Sequence, residues 1–426
     1  MKIAKLFRSL ATSMLLGLLA IAAQAMPGRP DAEVIIEWNE LLQSVVPAGG
    51  LNPPRFYAML HVAMFDAVNS IERSHGRYRF SVPCAPGASS EAAAAQAGHD
   101  ILAALFTAPD QVAKFDAALE ARLDLLNPYR ARLGAQVGKS IAKQVLDWRQ
   151  NDGWSATPPA FVLPAFPGVW QPTPPSFQAA QFAQFATTRP FALLTPTQYL
   201  PRRPPALDSP EYAEAFNEVK RLGSAASIER TAEQTQLARL FASVTSSTVH
   251  WGLWNHVARD TARDHHSSLI ETARLFTLLN VSIHDGVQTS HSSKFVYALW
   301  RPISAIRRAD EDMNPLTDSD PSWTPLLTTP PYPSHAGNQA CVGSSAARAL
   351  ALYYGTDTVP FNAVWIGMAG NPDVTRPYSG FWQMATDQAN SRVYGGIHFT
   401  FENDASREAC PRVAEYVFAH YIRLRY

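Results

Sequence analysis

Apolar residues recur at helical spacing from one end of this chain to the other, and that periodicity is the strongest limit on its fold. Phe56, Leu60, Met64 and Val68 make one stripe, Val112, Phe115, Leu119, Leu123 and Leu126 a second, and Val413, Tyr416, Val417 and Leu424 line the last segment. Side chains three or four positions apart share a helix face, so each stripe predicts an amphipathic helix. No comparable series of alternating, β-branched runs bounded by turns is present. The expected fold is therefore all-α, a large helical bundle, with helices near 33–46, 54–72, 91–105, 109–126, 131–150, 210–222, 229–246, 266–308 with a break, 335–354, 379–393 and 405–424. With 426 residues, 46% of them hydrophobic, the chain can build one large helical unit or two packed halves.

One stretch breaks the pattern. Between Ala156 and Pro205, prolines such as Pro158, Pro159, Pro164, Pro167, Pro172, Pro174 and Pro175 alternate with Phe161, Phe166, Trp170, Phe177 and Phe182. Proline forbids long helices there, and the aromatics argue against a floppy linker. The reading is an ordered connection over 156–206, joining an N-terminal helical half (26–155) to a C-terminal half (207–426). No internal repeat of fixed period is apparent.

Residues 1–25 read as a secretory signal peptide: Lys2, Lys5 and Arg8 precede the apolar run Met14 to Ala23, and Ala23-Gln24-Ala25 is a small-x-small cleavage pattern. The mature protein is expected outside the cytoplasm, secreted or periplasmic. No later stretch approaches the ~20 unbroken apolar residues of a membrane span. The formal net charge is zero, so nothing suggests nucleic acid or an anionic membrane as a partner, and any positive potential must be local to a site. The three cysteines, Cys84, Cys341 and Cys410, have no metal-ligand spacing. Cys341 and Cys410 read as buried helical residues, and an exported chain can oxidise two of its thiols.

Two segments carry chemistry. Lys294-Phe-Val-Tyr-Ala-Leu-Trp-Arg301-Pro302 spaces two cations seven residues apart, which on one helix is nearly two turns, or about 10 Å along the axis. Such a pair grips an anion from two directions or, more plainly, snorkels from a surface helix. The second segment is Ser391-Arg392-Val-Tyr-Gly395-Gly396-Ile-His398-Phe-Thr-Phe-Glu402. The glycines predict a break that leaves Arg392 at the end of one helix and His398 in the first turn of the next, where N–H groups favour an anion. An imidazole there can attack phosphorus or ligate a metal. Glu402, one turn on, can fix its tautomer from the other ring nitrogen, or can be a solvated helix residue. Asp404 reads as the N-cap of the final helix.

Lys-x6-Arg-Pro followed by Ser-Arg-x5-His-x3-acid resembles the first and third signatures of the vanadium-dependent haloperoxidase and type 2 phosphatidic acid phosphatase superfamily, in the same order. His61-Val-Ala-Met-Phe-Asp66-Ala-Val-Asn is similar to an early helix of its bacterial haloperoxidase-like branch, and the resemblance runs from about residue 35 onward. It implies that Lys294, Arg301 and Arg392 neutralise the equatorial oxygens of vanadate or phosphate, and that His398 ligates vanadium axially or attacks phosphorus. With vanadate as cofactor, hydrogen peroxide and halide would be the substrates. With a phosphate ester, the same pocket would hydrolyse it through phosphohistidine and need no cofactor.

The family's middle signature, Pro-Ser-Gly-His, is altered. Here the chain reads Pro330-Pro331-Tyr332-Pro333-Ser334-His335-Ala336-Gly337-Asn338-Gln339-Ala340. Two registers fit. In one, Ser334 and His335 keep the serine and the histidine and the glycine is lost. In the other, Gly337, Asn338 and Gln339 stand where Ser, Gly and His normally do, and His335, one turn earlier, is a substitute acid. Glutamine cannot deliver a proton near neutral pH. Loss of a general acid typically removes ~10²–10⁴ in rate, so a catalytically weak anion binder joins haloperoxidase and acid phosphatase among the readings. His291 and Tyr332 are candidates to line the pocket. Asp285 is a candidate partner for one of its arginines, with a plain helix-surface role as the alternative.

Overall fold

Most helix starts are written in local chemistry. Proline occupies the first turn where its missing N–H costs nothing, and Ser89, Asn127, Ser209 and Thr231 each accept a first-turn N–H through the side chain. The computed structural model describes residues 31–47, 50–242, 250–367 and 372–425. The expected signal peptide lies outside the described residues. Thirteen helices appear among those described: α1 (Glu33–Val45), α2 (Pro53–Glu72), α3 (Ser90–Leu105), α4 (Pro109–Asp124), α5 (Pro128–Arg149), α6 (Pro210–Leu222), α7 (Ala232–Leu240), α8 (His250–Asp264), α9 (Leu269–Tyr297), α10 (Pro302–Arg307), α11 (Asn338–Tyr354), α12 (Phe381–Tyr394) and α13 (Thr400–His420).

The molecule is helical, with one departure from an all-α reading. Strands β1 (Phe361–Trp365) and β2 (Val374–Tyr378) form an antiparallel hairpin pairing Phe361 with Tyr378 and Trp365 with Val374. Each strand has only five residues and β2 carries Pro377, so one isolated pair does not make a series of alternating runs. Helix α8 falls where no helix is expected from the sequence. The helix expected at 229–246 spans Ala232–Leu240, and part of the remainder lies outside the described residues.

Helix α9 is buried along nearly its whole length, from Leu269 to Lys294, and packs against α2, α8, α11 and α13. Small residues permit this: a Cβ at Gly286 would collide with Ser345 on α11. Helix α2 is buried from Pro53 to Ser70. One continuous apolar cluster runs from Val34 to Ile422 and draws on both ends of the chain, each fully buried large apolar side chain contributing about 1.5–3 kcal/mol. Residues from Ala32 onward form a single unit. Among the described residues, no helix is long and apolar enough to cross a membrane.

The proline-rich connection has only a short 3-10 turn at Ala183–Ala186, yet it is tied to the helical body at several points. Trp170 N–H donates to Ala298 O (2.7 Å), Trp300 N–H to Gly168 O (2.8 Å) and Gln181 N–H to Pro331 O (3.0 Å). The Asp285 carboxylate, fully buried on α9, accepts the N–H groups of Phe191, Ala192 and Leu193 at 2.7–2.9 Å.

Candidate anion site

Lys294 sits in the last turns of α9, and there the helix stops. Ala298 adopts a left-handed conformation (φ 50°), and the chain then bridges to the connection before Arg301 starts α10 as its N-cap, with Pro302 at the first position. The two cations therefore do not share a helix face. The turn between them brings them together instead, which a straight helix read from the seven-residue spacing does not anticipate. The second segment turns at Gly395 and Gly396 (φ +75° at Gly396), where a Cβ would run into the backbone of Gly223. His398 precedes α13, and Glu402 is the third residue of that helix. The early start of α13 puts Asp404 inside the helix, not at its N-cap. A small apolar cluster of Tyr212, Phe216, Trp300, Ile303, Val393, Phe399 and Phe401 lies beside both segments and clamps them together.

Lys294, Arg301, Arg392 and His398 converge. Arg301 is fully buried; its Nη1 donates to Ile397 O (2.9 Å) and lies 3.3 Å from His398 Nε2, and its Nε donates to Tyr332 O (2.9 Å). Arg301 Nη2 is buried with no partner among the described residues. The Lys294 ammonium, also fully buried, donates to Ser334 O (2.6 Å) and to Ala336 O. The Arg392 guanidinium makes a long bond to Phe241 O at 3.4 Å. The aromatic ring of Tyr332 stands 5.1 Å from the Arg301 guanidinium and 5.5 Å from the Lys294 ammonium.

Burial disfavours these charges, and Arg301 adds to the depression of Lys294 and Arg392. Desolvation, then Arg301, holds Lys294 well below its ordinary value, and desolvation brings Arg392 down to about 10. Burial and then Arg301, Lys294 and Arg392 hold His398 well below the usual imidazole range. His398 is thus a neutral ring. Its Nδ1 lies 2.7 Å from Glu402 Oε2, which assigns the proton to Nδ1 and leaves the Nε2 lone pair facing the cations. The same carboxylate oxygen accepts Phe399 N–H (2.9 Å) and the Ser334 hydroxyl (3.0 Å). Burial pushes the Glu402 carboxyl up to about 7, against the pull of Lys294 and Arg301.

None of the three cations is within ion-pair distance of a carboxylate among the described residues, although each buried charge carries a desolvation penalty of several kcal/mol. A tetrahedral oxyanion bound here would offset that penalty, and the residues fit one. The unpartnered Arg301 Nη2 supplies a donor, the Nε2 lone pair of His398 a ligand atom. No side chain caps the N-terminus of α11, which leaves first-turn N–H groups for an anion.

The altered middle segment divides. Ser334 gives its hydroxyl to Glu402 and its carbonyl to Lys294, so its side chain serves the orienting carboxylate and not an anion. His335 turns away: its Nε2 bonds Arg202 O (2.7 Å) and its ring lies by Tyr297 and Phe401. The substitute-acid role is corrected on that ground, since the imidazole is committed elsewhere and burial lowers it to about 4. Gly337 is the N-cap of α11, and Gln339 reaches the cluster. Its Nε2 donates to Phe241 O (3.0 Å), the carbonyl that Arg392 also uses, and its Oε1 is buried and unpartnered among the described residues. Asn338 bonds Ser290 (2.8 Å) and His291 (3.3 Å). His291 and Tyr332 face each other at 5.2 Å, beside the cations. Asp285 is a further correction: it holds the connection and makes no contact with Arg301 or Arg392. Two participants escape sequence reading. The Phe241 carbonyl is a backbone atom with no residue-type signal, and Ser293 was hidden beside Lys294, where its Oγ accepts Ala336 N–H at 2.8 Å.

The family whose pattern matches residues 274–425 is the VCPO second helical-bundle domain. That span holds all four converging side chains. The C-terminal part of the chain, residues 274–425, is thus similar to the vanadium haloperoxidases. The vanadium chloroperoxidase of Curvularia inaequalis is 26% identical over 179 residues, covering 32% of this chain and 29% of that relative. The chain thus matches under a third of that curated superfamily member's length. A bacterial vanadium-dependent iodoperoxidase shares the fold with a TM-score of 0.80 at 22% identity, covering 94% of this chain and 100% of that one. A holo-type bacterial vanadium-dependent chloroperoxidase follows with a TM-score of 0.70 at 15% identity, over 92% and 96%.

Proposed function

We propose that this chain is an exported vanadium-dependent haloperoxidase, using hydrogen peroxide to oxidise halide. The observation that carries the reading is the set of three buried cations around a neutral imidazole, with no carboxylate counter-ion among the described residues and Arg301 Nη2 unpartnered. Vanadate would be held by Lys294, Arg301 and Arg392 with His398 Nε2 as ligand, and when bound it supplies a Lewis-acid centre that activates peroxide. Glu402 keeps the His398 lone pair directed at the site by holding the Nδ1 proton. The protein's work is electrostatic: fixed donors neutralise an oxyanion in a dry pocket, where they act more strongly than in water. His291 and Tyr332 would border the halide. The Cys341–Cys410 disulfide fits an oxidising compartment and so supports export.

Gln339 favours a second reading, a weakly catalytic oxyanion binder, because among the described residues no protonated side chain stands beside Arg392: Gln339 is an amide, and burial and then Arg392 hold the His250 imidazole down to about 3. The same absence weighs more heavily against a phosphomonoesterase, whose leaving alkoxide needs a proton. Purified mature protein with orthovanadate separates these. Vanadate-dependent, peroxide-dependent oxidation of iodide or halogenation of a phenol-sulfone dye supports the leading reading. Hydrolysis of p-nitrophenyl phosphate, inhibited by vanadate, supports phosphatase. Bound vanadate with neither activity supports the binder.

A further inference from the structure

Three helices bring residues to the anion site by one end each: α9 with Lys294, α11 with Gly337 to Gln339, and α13 with Glu402. Just beyond those ends, Cys341 of α11 and Cys410 of α13 form a disulfide with Cα atoms 5.4 Å apart across 69 residues of sequence. Both sulfurs are fully buried, and Cys341 Sγ lies 2.9 Å from the Gly286 carbonyl oxygen of α9. The bridge therefore stands where the three helices meet. Cys341, Cys410 and Ala409 make a small cluster of their own, and the neighbouring positions Ala340, Gly343, Ser344, Ala405 and Ser406 are all small. Above the bridge the α11–α13 contact continues as polar links: Gly337 N–H to Glu402 O (3.3 Å), and Ser406 Oγ to Gly337 O (3.0 Å).

We propose that the Cys341–Cys410 disulfide is a positioning element of the anion site, fixing the α11 N-terminus and Gln339 relative to Glu402 and, through Glu402, the imidazole of His398. This rests on the reading of the cluster as an oxyanion site. A disulfide that only restricts the unfolded chain lowers the melting temperature when removed and leaves the folded protein's ligand affinity alone. A positioning disulfide changes both, because the groups that orient a ligand atom move with it.

The test is orthovanadate binding by calorimetry, with the ⁵¹V resonance of the bound ion as a readout of its surroundings, on wild type and a Cys341→Ala/Cys410→Ala variant well below their melting temperatures. Val145→Ala on α5, remote from the site, serves as a comparator for lost stability. The expected result is affinity weakened about 10- to 100-fold and a displaced or broadened resonance in the double variant, with the comparator at wild-type affinity. A folded double variant with wild-type affinity and resonance overturns the proposal. If the double variant does not fold, the wild-type chain prepared reduced and verified by thiol titration gives the same comparison and is read the same way. A wild type that binds no orthovanadate removes the site reading itself, and the proposal with it.

Discussion

Replacing Gln339 with histidine should return a proton donor to the anion site, and the structure sets both the size and the pH dependence of the gain. The Gln339 side chain lies beside Arg392, with its amide nitrogen 3.0 Å from Phe241 O; an imidazole of similar reach can keep that bond. A positioned general acid is worth ~10²–10⁴ in rate, but only while protonated. The neighbouring imidazoles His291 and His398 are both held well below their ordinary range by burial and by these cations. A new imidazole depressed by about one to two units would be ~0.3–3% protonated at pH 7. A thousandfold acid would then yield about 3- to 30-fold at pH 7 and a few hundredfold near pH 5. The assay is steady-state iodide oxidation with saturating orthovanadate, reported as the ratio of Gln339→His to wild type from pH 5 to 8. The ratio should rise as pH falls. A ratio near one at every pH, with orthovanadate affinity unchanged, refutes the reasoning that Gln339 occupies the acid's place.

Further expectations follow from the same geometry. His398→Ala should abolish whichever activity the protein has, measured by the peroxidase and p-nitrophenyl phosphate assays, and retained turnover would exclude His398 from the chemistry. Arg392→Ala should weaken orthovanadate about 10- to 100-fold, the value of a charge-assisted bond, with little change in melting temperature because its guanidinium bond to Phe241 O is 3.4 Å long. Asp285→Asn should do the reverse, costing about 2 kcal/mol through weakened bonds to three N–H groups while calorimetric anion affinity stays put. Acid should destabilise the fold: His61 is lowered to about 3 and His335 to about 4, so their contribution is complete above about pH 6.5. It is lost as pH falls below that value, where only the unfolded chain takes up the protons. A melting temperature flat from pH 6.5 to 4 would contradict it.

Much of this was legible in the residues. Helical stripes in a long apolar-rich chain determined the fold class, because apolar side chains recurring every three to four residues line up along a helix and not along a strand. Spacings that resemble two superfamily signatures named Lys294, Arg301, Arg392, His398 and Glu402, whereas the Lys294–Arg301 spacing alone also fits a plain surface helix. What the sequence could not decide is how far apart in space such groups stand. The turn at Ala298, set by the bridge between Leu299 and the connection at Val169, decided that Lys294 and Arg301 meet across a corner. Tertiary contacts also decided where the two candidate side chains go, since His335 and Gln339 sit four residues apart and His335 bonds Arg202 O while Gln339 bonds the Phe241 O that Arg392 shares. Asp285 was misread for the same reason. A buried carboxylate is specified by whichever N–H groups the chain folds against it, and those came from ninety residues away.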